Sequence, residues 1–208
     1  MTIAAIDFVP TELARGRGGG GPAPTRTVVA YGFWIFLLSD FVLFSGLFAA
    51  YAVLSGNTAG GPTGSELFNL QSVFVETMCL LFSSYTAGLG ALSAERRRPE
   101  RFLIFSAFTF VLGAAFLVIE AREFARMVAE GAGPSRSGFL SAFFTLVGTH
   151  GVHVTSGLIF LIYMMAQVIA KGLRPHVLRR LLCFSLFWHA LDIIWVGVFT
   201  LVYLMGAR

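Results

Sequence analysis

The chain has 208 residues, the length of one ordinary soluble domain, yet 56% of them come from the set AVILMFWYC and only 12% are charged. A water-soluble domain carries roughly 25% charged residues, about twice what this chain could place on a surface. A disordered chain, an ordinary soluble enzyme and a nucleic-acid-binding domain built on basic patches are thereby excluded, and the net charge of +4 needs another explanation.

In chain order, residues 1–27 contain Asp7 and Glu12 and then the run Arg15-Gly-Arg-Gly-Gly-Gly-Gly-Pro-Ala-Pro24. Such a composition reads as a flexible cytoplasmic lead-in. It lacks the charged-then-apolar order of a cleavable signal, so the first span is expected to act as an uncleaved anchor. A membrane domain is expected over 28–208, with five spans at about 28–54, 70–92, 102–119, 139–170 and 181–205. A helix crosses the hydrocarbon layer in about 20 apolar residues, and each stretch approaches or exceeds that length. The fourth is long enough to require tilt or projecting ends. A β-barrel would alternate apolar and polar residues over short segments, so the fold class is an all-α, five-helix membrane bundle.

The connections carry the orientation. Gly56-Asn-Thr-Ala-Gly-Gly-Pro-Thr-Gly64 is a turn-rich loop without Lys or Arg. After Ile119 the chain keeps helical character to about residue 130, with Glu123–Arg126 and Arg126–Glu130 at i,i+3 and i,i+4 spacing. Eleven of the 15 Lys and Arg residues, including Arg96, Arg97, Arg98, Arg101, Lys171, Arg174, Arg179 and Arg180, fall on the amino-terminal side. Basic loops stay in the cytoplasm, so the amino terminus is expected inside and the carboxy terminus in the periplasm. Cys79 and Cys183 sit at unlike depths and read as apolar fillers, without a disulfide framework or zinc spacing. No internal repeat suggests an inverted-repeat transporter.

Ionisable residues inside spans are the functional candidates, since each costs about 2.5–3.5 kcal/mol near the bilayer centre. They are Asp40, Glu76, Glu120, His150, His153, His189 and Asp192. His150 with His153, and His189 with Asp192, each share a helix face at i,i+3. This spacing admits a haem or metal site in a bundle. With the last span starting at Leu181, however, His153 and His189 are offset in depth by roughly 13 Å at 1.5 Å per residue. Hydrogen-bonded helix packing is the alternative, aided by Gly148, Gly151, Ser156 and Gly157, and by Ser84 and Gly88. Asp40, alone near mid-membrane, is expected to be a neutral structural carboxyl or to influence proton uptake. The residues alone leave open an independent haem or metal redox protein and a small proton-coupled transporter centred on Asp40 and Glu76.

A resemblance narrows these alternatives. Gly148-Thr-His-Gly-Val-His-Val-Thr-Ser-Gly157 and Phe187-Trp-His-Ala-Leu-Asp-Ile-Ile-Trp195 resemble the last two helices of subunit III of haem-copper terminal oxidases. Ser39-Asp-Phe-Val-Leu-Phe44, Ala59-Gly-Gly-Pro-Thr-Gly64, Val75-Glu-Thr77, Leu80-Leu-Phe-Ser-Ser84 and Gly138-Phe-Leu-Ser-Ala-Phe-Phe144 are similar to the branch that oxidises ubiquinol. The resemblance implies a non-catalytic subunit of a proton-pumping quinol oxidase in a bacterial inner membrane. The complex would reduce O2 to water, with haem, copper and the quinol site in subunit I and none bound by this chain. Subunit I, the other subunits and membrane lipids are the implied partners, a bound phospholipid is compatible with it, and no nucleic acid is expected. His150, His153, His189 and Asp192 become packing residues typical of the family, and Glu120 matches its helix glutamate. Asp40 stands where the cytochrome c oxidase branch has a carbodiimide-reactive glutamate. The two amino-terminal helices of the seven-helix subunits have no counterpart, and the lipid cleft they help to form is not carried over.

Overall fold

A computed structural model describes residues 23–206. The expected flexible lead-in therefore falls largely outside the described residues. The elements are α1 (Thr25–Leu54), α2 (Gly64–Leu67), α3 (Leu70–Glu95), α4 (Pro99–Ala129), α5 (Gly138–Lys171) and α6 (Pro175–Val198), and α6 continues as a π-helical segment over Phe199–Leu204. Five of these helices are long and apolar enough to cross a membrane. The protein is an all-α polytopic membrane bundle.

Local chemistry sets the helix ends. Asn69 caps α3 by accepting from the Gln71 and Ser72 amides at 3.1 and 3.4 Å. Ser137 does the same for α5 through the Leu140 amide at 3.2 Å. Pro99 and Pro175 open α4 and α6, where a missing amide hydrogen is harmless. Gly172, at φ 67°, ends α5 in a conformation that a side chain resists. Thr63 starts α2, its amide donating to Glu66 Oε2 at 3.3 Å in a capping box.

Helices α3, α4, α5 and α6 form a ring in which each packs on two neighbours, and α1 lies outside against α5 and α6. Hydroxyls in the apolar spans are satisfied locally: Ser45, Thr145, Thr155 and Thr200 each donate to the carbonyl four residues back. The interior is strongly aromatic. Phe116 and Trp195 meet edge to face at 4.6 Å, and His150 lies 5.0 Å from Trp195.

The two ends of the bundle are tied separately. Arg26, at the start of α1, pairs with Glu95 at the end of α3 at 2.6 Å, and Arg97 donates to the Leu173 carbonyl. These contacts gather the start of α1 with the second and fourth connections. At the opposite end Arg126 donates to the Leu67 carbonyl at 3.1 Å and pairs with Glu123 at 2.7 Å, joining the first and third connections. The expected partner pair Arg126–Glu130 is not formed among the described residues; the guanidinium is occupied by Glu123 and Leu67 instead.

Two expectations need correction. Helix α6 begins at Pro175, not Leu181: Arg179 and Arg180 interrupt the apolar run without interrupting the helix. Those extra turns shrink the depth offset between His153 and His189 to roughly 6 Å by the same 1.5 Å rise. The close helix approach also lies elsewhere than at Gly148 and Gly151. A Cβ at Gly151 would meet nothing within 4 Å, and one at Gly148 only Phe124 at 3.8 Å. Gly157 does make the close approach expected of it, and Gly113 makes another: added Cβ atoms there would lie 2.9 Å from Trp188 Cζ3 and 3.0 Å from Trp188 Cη2, respectively.

Candidate functional site

Six of the seven intramembrane polar residues fall into three pairs, and His189 lies near the second of them. Glu76 of α3 and Glu120 of α4 are buried, and their carboxyls face one another across the seam between the two helices. None of their four oxygens meets a hydrogen-bond donor from any other described residue. Glu123 and Tyr203 lie nearby, and Arg126 is engaged by Glu123.

His150, Asp192 and Ser84 form the second group, in the middle of the ring. His150 is completely buried among Phe44, Phe116 and Trp195. Its Nε2 lies 3.3 Å from the Leu191 carbonyl oxygen on α6. A carbonyl only accepts, so Nε2 carries the hydrogen and Nδ1 faces inward. Asp192 has Ser84 and His189 as its polar neighbours. Around this group the two indoles cross from α6 to α3: Trp188 donates to Ser83 Oγ and Trp195 to Thr77 Oγ1, both at 3.1 Å.

Asp40 and His153 make the third group, on the lipid-facing side between α1 and α5. His153 Nδ1 donates to the Thr149 carbonyl at 2.8 Å, which leaves Nε2 facing Asp40 Oδ1 at 3.9 Å. That separation exceeds hydrogen-bond length. His189 likewise folds onto its own helix, Nδ1 donating to the Ser185 carbonyl at 2.7 Å.

This arrangement bears on cofactor binding through the donor set. Each of His150, His153 and His189 uses one ring nitrogen on a backbone carbonyl, and the three rings point into different surroundings. Among the described residues no three His, Cys, Asp or Glu side chains converge as ligands. Cys79 and Cys183 are free thiols.

Several participants were not singled out from the sequence. Trp188, Gly113, Thr77 and Ser83 organise the middle of the bundle, yet a Trp or Thr in an apolar span has no distinctive spacing. Arg180 reaches Gln167 Oε1 at 3.0 Å and Tyr163 Oη at 3.1 Å, joining α6 to α5. A cavity of about 730 Å³ opens between α1, α3 and α6 at the basic end, with Arg26, Arg97 and Arg179 at its edge, Leu92, Leu178 and Leu182 on its walls. His189 also lines it.

Comparison with known proteins completes the description. The family described as Cytochrome c oxidase subunit III matches residues 18–207. The chain is 53% identical over 177 residues to cytochrome bo(3) ubiquinol oxidase subunit 3 of Pseudomonas aeruginosa, covering 85% of each protein. It is 44% identical over 175 residues to quinol oxidase subunit 3 of Bacillus subtilis, covering 84% of this chain and 86% of that one. Cytochrome c oxidase subunit 3 of Bacillus sp. (strain PS3) is 42% identical over 175 residues, with 84% of each covered.

Proposed function

The chain belongs to the cytochrome c oxidase subunit III family, and on that premise we propose that it serves as the non-catalytic subunit III of a proton-pumping ubiquinol oxidase in a bacterial inner membrane. The observation that carries this reading is the 53% identity to a ubiquinol oxidase subunit 3 along 85% of both chains. Haem, copper and quinol would be bound by subunit I, against which this bundle packs, together with the other subunits. Its own part would be to support assembly, order lipid and sustain proton uptake while the complex reduces O2 to water. The end bearing Arg26, Arg97, Arg174 and Arg179 would face the cytoplasm, since basic connections are retained there.

The intramembrane polar residues would then be structural or supportive. Glu76, Glu120, His150 and Asp192 lie inside the bundle, His189 bonds its own helix beside the cavity at the basic end, and Asp40 with His153 faces outward, where proton uptake by a neighbour would feel it. The cavity at the basic end supports the lipid-ordering role. Its arginines suit a phosphate group and its leucines suit acyl chains.

The test is removal of this subunit from the purified complex. Unchanged haem spectra with progressive loss of turnover are expected. Loss of haem because this chain itself supplied ligands would overturn the reading, as would failure of the chain to co-purify with a haem-bearing subunit.

A further inference from the structure

At the centre of the ring, α3, α5 and α6 enclose a small cavity lined by Ser83, His150, Val154, Trp188 and Asp192, among others. Its volume is about 10 Å³, near that of one water-sized sphere. One such sphere is about what a single buried water requires, provided the walls are polar and offer partners.

The walls do offer partners, and of one kind. His150 Nδ1 and Asp192 Oδ1 are both buried, and no described residue supplies either with a hydrogen bond. Because Nε2 holds the ring hydrogen against the Leu191 carbonyl, Nδ1 presents a lone pair. Asp192 Oδ1 is likewise an acceptor whether the carboxyl is ionised or carries its hydrogen on Oδ2. Two of the remaining polar groups are committed elsewhere: Trp188 donates its hydrogen to Ser83 Oγ, and Ser83 donates its own to the Leu80 carbonyl at 2.7 Å. Two residues with unpartnered acceptors on the walls of one water-sized space suit a small molecule with two O–H donors. A metal ion fits poorly, since the described residues offer no third His, Cys, Asp or Glu ligand.

We propose that this cavity binds one internal water, which donates one hydrogen to His150 Nδ1 and the other to Asp192 Oδ1. The water joins α5 to α6 where the two side chains do not reach each other directly. It also fixes His150 in a single tautomer. Ser84 Oγ, a third buried atom without a partner, lies beside Asp192 and is placed to extend the network.

The test is a structure of the chain in its native assembly, in lipid, at a resolution that shows ordered waters. One peak is expected at about 2.7–3.0 Å from both His150 Nδ1 and Asp192 Oδ1. Asp192→Asn keeps an acceptor oxygen and should keep the peak, whereas Asp192→Leu should lose it. A map that resolves other internal waters but shows none here overturns the proposal. Direct contact between His150 and Asp192, or a peak unchanged in Asp192→Leu, does the same. Should Asp192→Leu fail to assemble, the native and Asp192→Asn maps decide the matter.

Discussion

Trp188 donates its indole hydrogen to Ser83 Oγ at 3.1 Å while its ring lies against two glycines, Gly113 of α4 and Gly157 of α5. One side chain of α6 thus meets all three other helices of the ring. Its plane is further held by Phe184, stacked at 5.8 Å. The ring cannot retreat from one glycine without approaching the other.

Gly157→Ala should therefore destabilise the bundle by about 1–3 kcal/mol, the usual consequence of overpacking a core. Gly151→Ala, on the same helix with nothing within 4 Å of the added methyl, is the control and should leave stability unchanged or slightly higher. Thermal unfolding of both variants in the same detergent checks the contrast. Equal midpoints would mean that Trp188 is not wedged.

For the buried carboxyl pair, the expected result depends on shape more than charge. Glu76→Gln keeps the volume and removes a potential negative charge, so the assembled protein should keep its melting midpoint to within a degree or two. Glu76→Ala leaves a cavity beside Glu120 and should cost about 2–5 kcal/mol, as large-to-small core changes do. Unfolding of the Gln variant would show that an ionised carboxylate is required at this position.

Asp40→Asn should preserve assembly and most turnover. The side chain is 16% exposed, its Oδ1 lies 3.9 Å from His153 Nε2, and an amide can occupy the same space. Oxygen consumption and proton ejection per electron, measured in vesicles, separate the two possible roles. Intact assembly with a large fall in proton ejection would show that the Asp40 proton takes part in uptake.

Arg97 combines two opposing features, a left-handed backbone at φ 57° and a side chain that donates to the Leu173 carbonyl. Removing the guanidinium should loosen the basic end in either Arg97→Ala or Arg97→Gly. The glycine variant relieves the backbone, so it should be the more stable of the two by about 0.5–1 kcal/mol. Paired melting curves check the order, which fails if alanine is the better replacement.

Much of this architecture is legible from the amino acids because a bilayer demands long apolar runs, and five of them stand out plainly. Helix ends are less legible where polar residues continue a helix past the apolar core. Arg179 and Arg180 conceal the first turns of α6, though Pro175 marks its start. Thr63 and Glu66 mark the start of the short helix α2 through their capping-box spacing. The partners of buried polar residues are harder still. Glu76 and Glu120 lie 44 positions apart, and nothing in either helix's periodicity states that their carboxyls meet. Gly148 and Gly151 satisfy the small-residue pattern and yet contact little, while Gly113, isolated in sequence, lies against an indole. Spacing reports which face a residue occupies; what covers that face is decided by the other helices.

The placement of α1 has a practical consequence. Only 11% of its most apolar stretch is buried, against 50% for the helix formed by Pro175–Leu204, and its packing is chiefly against α5 and α6. Within the isolated chain, solubilisation should act on this helix first. A harsh amphiphile can compete for nearly its whole circumference, while the ring of four remains closed by its indoles and aromatics. Preparations in different detergents should accordingly differ in how long α1 stays docked before they differ in helix content, and proteolysis near Thr25 would detect that difference before circular dichroism does.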